Sequence, residues 1–391
     1  MLKYVEGSHA VSEVVARCRP QVISAYPITP QTHIVEDLAR RVGEGELEAE
    51  FINVESEFSA ASVVLGASAA GARAYTTTTS QGLLLMTEVI YCIAGMRLPI
   101  VLTCANRAIS APLNIWNDQQ DSMTVRDAGW IQLHAEDNQE AADLHIQAFK
   151  IAESTSLPVM VCMDGFILTH AFEPVDLPEQ KEVDAFLPPF KPQHIVDPQS
   201  PRALGLYADQ RFYLEMRYIL HRALEKSENT IGQVSADFSR AFGRDSGGLI
   251  KTYKLEEADL VIVTMGSIVG TIKDLIDQLA EEGKKVGLLQ ICSFRPFPRQ
   301  AVYQVLQNKM NIVVLEKSVS LGRGGILGSD VRWSFPRAEK KDRVISSYIA
   351  GLGGRNISTG SLREMVARVE KEPVELGFLG LNQEIIAERD L

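Results

Sequence analysis

Two α/β domains, each built on a largely parallel sheet, are what the sequence predicts. Three observations predict them. Short apolar runs alternate with helix-period segments over residues 1–172, and the same alternation resumes over 251–371. Between them lies "FEPVDLPEQKEVDAFLPPFKPQHIVDPQSPR", which contains seven prolines and reads as an extended connector. Strand–helix alternation implies parallel strands with helices on both faces, and ligands in such sheets sit at the carboxyl ends of the strands.

In the first block "QVISAYP" reads as a strand and "PQTHIVEDLARRVGEG" as a helix ending at glycine. "AEFINVE" is a strand, and "ESEFSAASVVLGASAAG" is a helix of small residues with Glu55 and Glu57 at its mouth and no further charge until Arg73. "ARAYTTTT" and "PIVLTCAN" are strands flanking the helix "GLLLMTEVIYCIAGM"; the helix "NQEAADLHIQAFKIAEST" and the strand "PVMVCMDG" follow. Residues 173–250 then hold the connector and a long helical stretch, "FYLEMRYILHRALEKSENTIGQVSADFSRAFGR", that fits a domain boundary. The second block has strands "DLVIVTMGS", "KVGLLQICSF", "NIVVLEKS" and "RVISSYIAG", each followed by a helix, and residues 372–391 form a tail that could wrap a partner.

The composition, 46% hydrophobic and 23% charged, is that of an ordinary globular protein. The net charge of −11 and the lack of a basic block argue against nucleic acid as a partner. No apolar run reaches the length of a membrane span, and "MLKYVEGSHAVSEVVARC" lacks the apolar core of a signal peptide, so a cytoplasmic location is expected. Cys18, Cys92, Cys104, Cys162 and Cys292 are scattered, which argues against an iron–sulfur cluster or a zinc site in this chain; no metal site is expected. "GRGGILG", residues 322–328, has the wrong spacing for a dinucleotide fingerprint.

Four stretches could carry chemistry. "AYPITPQT" sets Thr29 between two prolines at a strand's carboxyl end, although threonine there also serves as a helix N-cap. Glu57 could be a first-turn acid that complements the helix dipole. Two acids nevertheless fit poorly on so small and apolar a helix, and a carboxylate in an apolar crevice can hold a proton at neutral pH. "TTTTSQG" clusters hydroxyls, an amide and Gly82 at a strand-to-helix junction, either as an anion or ring cradle or as an ordinary polar turn. Arg107 directly follows a strand, where it could meet a carboxylate with two hydrogen bonds or form a surface ion pair. "NDQQD", residues 117–121, reads as a polar loop, solvated or at an interface.

Taken in order, "YPITPQT", "VESEFSA", "GASAAGARAYTTTTSQGLLLM", "AGMRLPIV", "NRAISAPLNIWNDQQD", "RDAGW", "DGFILTH", "VTMGS", "FRPFP" and "AGLGGR" closely resemble the α subunit of the multi-subunit 2-oxoacid:ferredoxin oxidoreductases, over nearly the whole chain. The resemblance is strongest to the pyruvate enzymes, with the branched-chain ones close behind. It implies a pyrimidine-type thiamine-enzyme domain followed by a smaller domain like the C-terminal domain of transketolase. It implies oxidative decarboxylation of a 2-oxoacid on thiamine diphosphate, with coenzyme A taking the acyl group and electrons passing through iron–sulfur clusters to ferredoxin. Glu57 matches the glutamate that hydrogen-bonds the cofactor's aminopyrimidine ring, favouring the tautomer whose nitrogen removes the thiazolium proton. Thr29 and Arg107 match contacts to the substrate carboxylate. Tyr26, Pro27, Ile28, Ser80 and Gln81 are expected to line the cofactor with Glu57.

The chain has no Gly-Asp-Gly, the start of the diphosphate–magnesium motif of thiamine enzymes. This implies that a β subunit holds the diphosphate and Mg2+, while γ- and δ-type subunits complete the complex and partner chains carry the clusters. Oxalate-using relatives carry arginine where this chain has Thr29, which disfavours oxalate. "NRAISAPLNIWNDQQD" favours pyruvate, while "YPITPQT" and "DAFLPPFKP" look at least as much like the branched-chain enzymes; aryl 2-oxoacids remain a third choice. Two rivals of other classes are a transketolase-like transferase without redox chemistry and a non-catalytic scaffold subunit. The missing diphosphate motif weighs against the first, and the joint presence of Glu57, Thr29 and Arg107 against the second.

Overall fold

The computed structural model describes residues 2–193, 195–201, 203–336 and 343–389. Its first body is a seven-stranded sheet. In chain order the segments are β1 (Leu2–Glu6), α1 (Gly7–Arg17), β2 (Val22–Ala25), α2 (Thr32–Gly43), β3 (Glu50–Asn53), α3 (Glu57–Ala69) and β4 (Ala74–Thr78). Then come α4 (Ser80–Leu85), α5 (Thr87–Gly95), β5 (Val101–Asn106), α6 (Gln120–Thr124), β6 (Ile131–His134), α7 (Asn138–Thr155) and β7 (Val159–Asp164). Strands β6, β7, β5, β4, β2 and β3 lie side by side in that order and all run parallel. Every residue of β5 and β7 is buried, as expected for central strands covered on both faces. Their carboxyl ends therefore share one edge of the sheet.

The next segments are β8 (Phe172–Asp176), α8 (Gln180–Phe186) and α9 (Tyr213–Phe242). The connector expected over 173–206 is thus more than a strap. β8 pairs antiparallel with β1, a strand that the alternation of the first block did not reveal. Val183 and Phe186 of α8, with Leu220, Ile231, Val234 and Phe238 of α9, join the first core. Buried Arg73 clamps the connector by donating to Glu153 of α7 and to the carbonyls of Cys18 and Pro188. A boundary at 173 cuts through β8, so residues 173–250 pack as part of the first body; residues 194 and 202 lie outside the described residues.

The second body follows as β9 (Ile250–Tyr253), β10 (Leu260–Thr264), α10 (Ile268–Glu281), β11 (Val286–Ile291), β12 (Ser293–Arg295), α11 (Arg299–Leu306), β13 (Asn311–Glu316), α12 (Ile326–Trp333), β14 (Val344–Ile349), α13 (Thr359–Val369), β15 (Gly377–Phe378) and α14 (Gln383–Arg389). Its sheet has the order β15, β14, β13, β10, β11, β9, parallel except at β9. The tail therefore contributes a strand, although its last two residues lie outside the described residues. "KVGLLQICSF" reads as one strand but is two. After β11 the chain crosses over, and β12 pairs antiparallel with β6 on the edge of the first sheet. Among the described residues no helix is long and apolar enough to cross a membrane.

A buried ion pair pins the two bodies together. Lys317, just past β13, donates to Asp164 at the end of β7 at 3.0 Å and to the side-chain oxygen of Asn117. Burial alone raises the Asp164 carboxyl, but the Lys317 charge and hydrogen bonds from Ser267 outweigh it and bring it down to about 2. Removing one partner of such a pair leaves an uncompensated buried charge. Lys317→Met is expected to destabilise the chain by roughly 3–5 kcal/mol at neutral pH. The Asp164 carboxyl lies lower in the folded chain than its ordinary 3.8, so its contribution is complete above that value and is lost as pH falls towards about 2. Melting curves should show the gap between wild type and variant narrowing over that window.

Candidate active site at the carboxyl edge of the first sheet

The residues singled out in the sequence converge on the carboxyl edge of β2, β4 and β5. Ser56 ends the chain leaving β3 in extended conformation and caps α3, its hydroxyl accepting from the Ser59 amide at 3.3 Å. Glu57 is the next residue. It is 7% exposed, and among the described residues no donor reaches its carboxylate. The cause of its burial is the turn opposite. A Cβ on Gly82 would lie 2.8 Å from Glu57 Oε1 and Cγ and 2.5 Å from Thr78 Oγ1, so only glycine lets the two segments come this close. Thr78 Oγ1 and Gln81 Nε2 are also buried without partners. A buried carboxylate lacking a donor, beside orphaned polar atoms, suits a ligand that brings its own N–H groups.

The turn that carries Gly82 is itself constrained. Ser80 has φ 47°, a left-handed conformation that costs a non-glycine residue of order 1–3 kcal/mol. Its amide donates to Asp121 Oδ2 at 2.9 Å, and its hydroxyl donates to the Ala108 carbonyl and lies 2.6 Å from Gln81 Oε1. Ser80 is fully buried, so its hydroxyl shapes the turn and does not face a ligand.

Arg107 follows β5. Its Nε donates to the Asn114 carbonyl at 3.0 Å and Nη1 to the Thr29 carbonyl at 2.9 Å, while Nη2 makes no hydrogen bond among the described residues. Burial lowers its pKa, with the Asp121 charge opposing. Thr29 is exposed; its carbonyl meets Arg107 and its hydroxyl has no partner among the described residues. It is not a helix cap, because α2 begins at Thr32 with Gln31 at the capping position. Tyr26 and Pro27 are exposed and Ile28 is half-buried on the same segment, which Gln31 ties down by donating to the Tyr26 carbonyl at 2.9 Å. Thr29 and Arg107 are thus in direct contact, and the turn that packs Gly82 against Glu57 also bonds, through Ser80, the carbonyl of Ala108 next to Arg107.

Of the two expectations for the "NDQQD" loop, solvated or at an interface, the structure shows the second: it lies against the second body. Asn117, Asp118, Gln119 and Asp121 are all buried. Asp118 accepts from the Gly353 amide at 3.0 Å, and burial pushes its carboxyl up to about 6. The Gly354 amide donates to the Asn117 carbonyl at 2.6 Å. Asp121 accepts from five donors, the amides of Ser80, Arg107 and Ser122, the side chain of Asn106 and, at 3.7 Å, the thiol of Cys104. Sequence reading passed over Asp121 as one acid among polar neighbours; its signal was a carboxylate shortly after an arginine at a strand end. At "GRGGILG" the Glu316 carboxylate accepts from the amides of Ile326, Leu327 and Gly328, so the start of α12 already holds an anion. Elsewhere Glu6, His33 and His170 bring their ligating atoms within 4.8 Å of one another, but His33 Nδ1 lies 2.6 Å from Glu6 Oε1 and His170 Nδ1 lies 2.7 Å from Thr169 Oγ1.

The first body is thus an α/β domain whose parallel sheet presents a helix-start glutamate at its carboxyl edge, with a second α/β body docked beside it, and comparison with known proteins places both bodies in one class, the thiamine diphosphate-dependent 2-oxoacid oxidoreductase subunits. Residues 13–236 match the thiamine diphosphate-binding family of the pyruvate flavodoxin/ferredoxin oxidoreductases, and residues 258–362 match core domain II of pyruvate:ferredoxin oxidoreductase. The chain belongs to this family, as an α subunit. It is 46% identical to the pyruvate synthase subunit PorA of Methanosarcina barkeri, over 98% of this chain and 97% of the relative. It is 45% identical to the PorA subunit of Methanothermobacter thermautotrophicus, over 98% and 99%, and 40% identical to the ketoisovalerate oxidoreductase subunit VorA of Pyrococcus horikoshii, over 96% and 95%. The fold is similar to that of a 2-oxoglutarate:ferredoxin oxidoreductase from Magnetococcus marinus, with a TM-score of 0.72 at 20% identity, over 94% of this chain and 65% of that one. A split-gene transketolase shares the fold at a TM-score of 0.55 and 14% identity, over 94% and 98%.

Gly82→Ala tests the packing that buries Glu57. The added methyl group cannot fit without displacing Glu57 or Thr78. Cofactor-dependent activity of the assembled complex is expected to fall at least about tenfold, while the melting temperature falls by only a few degrees, a cost of roughly 1–3 kcal/mol for overpacking. Unchanged activity would show that the Glu57 position is not set by this contact.

Proposed function

We propose that this chain is the half of a 2-oxoacid:ferredoxin oxidoreductase active site that activates thiamine diphosphate and holds the substrate carboxylate, and that pyruvate is its substrate. The observation that carries this reading is the Glu57 carboxylate without a protein donor, packed on the same Ser80–Gly82 turn that bonds the residue after Arg107, whose Nη2 is uncommitted among the described residues.

Thiamine diphosphate, when bound, supplies the electron sink that lets a 2-oxoacid lose carbon dioxide. The chain's own residues then have distinct work. Glu57 accepts a hydrogen bond from the aminopyrimidine ring and stabilises positive charge there. Thr78 and Gln81 offer it polar partners, and Gly82 keeps water out by close packing. Arg107 Nη2 and the Thr29 hydroxyl fix the carboxylate of the 2-oxoacid; the bond from Arg107 Nη1 to the Thr29 carbonyl keeps the two groups together. Tyr26, Pro27 and Ile28, largely exposed here, form the lip that a β-type subunit would cover while it holds the diphosphate and Mg2+. Iron–sulfur clusters on partner subunits, with γ- and δ-type subunits in the complex, would pass electrons to ferredoxin. Coenzyme A would take the acyl group, in the cytoplasm.

Similarity to VorA subunits over nearly the full chain favours a second reading, a branched-chain 2-oxoacid as substrate. A purified complex assayed with pyruvate, 2-oxoisovalerate, an aryl 2-oxoacid and 2-oxoglutarate, using a low-potential dye as acceptor, tests both. The highest kcat/KM is expected for pyruvate; a preference for 2-oxoisovalerate would transfer the assignment. Arg107→Lys keeps charge but loses the planar fork. Losing one charge-assisted contact, roughly 1.5–3 kcal/mol, should raise the KM for the 2-oxoacid about 10- to 150-fold and leave that for coenzyme A nearly unchanged. Equal effects on both constants would indicate a structural role for Arg107.

A further inference from the structure

We propose that Asp121 is a positioning residue for this reaction: its carboxylate joins the turn facing Glu57 to the backbone of Arg107, and so sets the substrate-carboxylate site relative to the cofactor site. The inference rests on the functional reading above.

Three segments meet on this one side chain. Oδ2 accepts from the amides of Ser80 and Arg107, each at 2.9 Å, and from the Cys104 thiol at 3.7 Å, while Oδ1 accepts from Asn106 Nδ2 at 2.7 Å and the Ser122 amide at 2.8 Å. Ser80 begins α4 after β4, Asn106 ends β5 and Arg107 follows it, and Asp121 itself lies in α6. Asp121 is completely buried, and its partners are neutral groups with no cation among them. Burying a carboxylate is expensive, and a well-packed apolar side chain is often as good for stability alone. What the carboxylate adds is geometry. One oxygen holds two amides from separate loops within a single hydrogen-bonding fork, and one of them belongs to Ser80, whose left-handed backbone needs an external restraint. Moving Asp121 shifts Arg107 at its backbone, and with it the Nη1 contact to the Thr29 carbonyl, and also shifts the turn that carries Gly82 against Glu57.

Asn and Ala replacements separate positioning from folding. Asn keeps the shape and one accepting oxygen, but a neutral acceptor makes weaker bonds than a carboxylate. Asn106 Oδ1 is buried without a partner, so that amide can turn to receive the new NH2 group and the variant can pack. The test uses the assembled complex with D121N, D121A, R107K and the double variant D121N/R107K, measuring kcat and KM for the 2-oxoacid and for coenzyme A. D121N is expected to raise the 2-oxoacid KM about tenfold, with D121A larger, as loss of charge-assisted bonds implies. The coenzyme A KM should stay within about twofold. Because Asp121 acts through Arg107, D121N should add little in the R107K background, a non-additivity that independent sites do not show. Equal rises in both KM values, or effects that multiply in the double variant, overturn the proposal. If D121A does not assemble, D121N carries the test; if neither assembles, Asp121 is a folding residue and the proposal is wrong. A wild-type complex that oxidises no 2-oxoacid is a different result, and it removes the functional reading itself.

Discussion

A largely buried carboxylate without a protein donor must find its hydrogen bonds in water or a ligand, and this fold holds one at Glu57, which is 7% exposed. Much of the first body follows from that constraint. The helix behind Glu57 is rich in Ala and Ser, so that α3 can lie close to β2 and β4. The facing turn has glycine where any side chain would strike Glu57. The parallel sheet brings the ends of β2, β4 and β5 to the same edge, where a ligand can supply the missing donor.

The second body does more than complete the architecture. Its Lys317 neutralises Asp164 and grips Asn117, and its Gly353 and Gly354 amides hold Asp118 and Asn117. The loop from Arg107 to Asp121 therefore lies between the catalytic edge and the docked body, bonded on both sides. The proposed substrate-carboxylate site and the contact between the two bodies share one segment. The strand β12, which leaves the second sheet to extend the first, ties the two bodies at the opposite edge of the same sheet.

The alternation of apolar runs revealed β2 to β5, β7, β10, β11, β13 and β14, because buried parallel strands are short, apolar and bounded by turn residues; the four-residue β6 was missed, and β12 was merged with β11. The first residues were harder. β1 and β8 are largely exposed, with one buried residue each, and they pair only with each other. α8 hides in a proline-rich stretch where composition outweighs a single turn of helix pattern. At the site, Glu57, Thr29 and Arg107 stood out because each sits beside a strand end in a distinctive motif. Asp121 and Lys317 did not: both depend on contacts across long sequence separations, 41 residues from Ser80 to Asp121 and 153 from Asp164 to Lys317, which local pattern cannot express. "NDQQD" could be solvated or at an interface, because local pattern does not show that its polarity is satisfied by backbone amides and by the second body.

The central claim is that Glu57 polarises the thiamine ring. Its most direct measurement is hydrogen–deuterium exchange at the thiazolium carbon of cofactor bound to the assembled complex, wild type against Glu57→Gln. Gln keeps size and packing but cannot stabilise positive charge on the ring as a carboxylate does. Exchange should slow by about 10²- to 10⁴-fold, the usual range for acid–base assistance, with the cofactor still bound and the complex intact. A Gln variant that assembles, binds thiamine diphosphate and exchanges that proton at the wild-type rate would contradict the account.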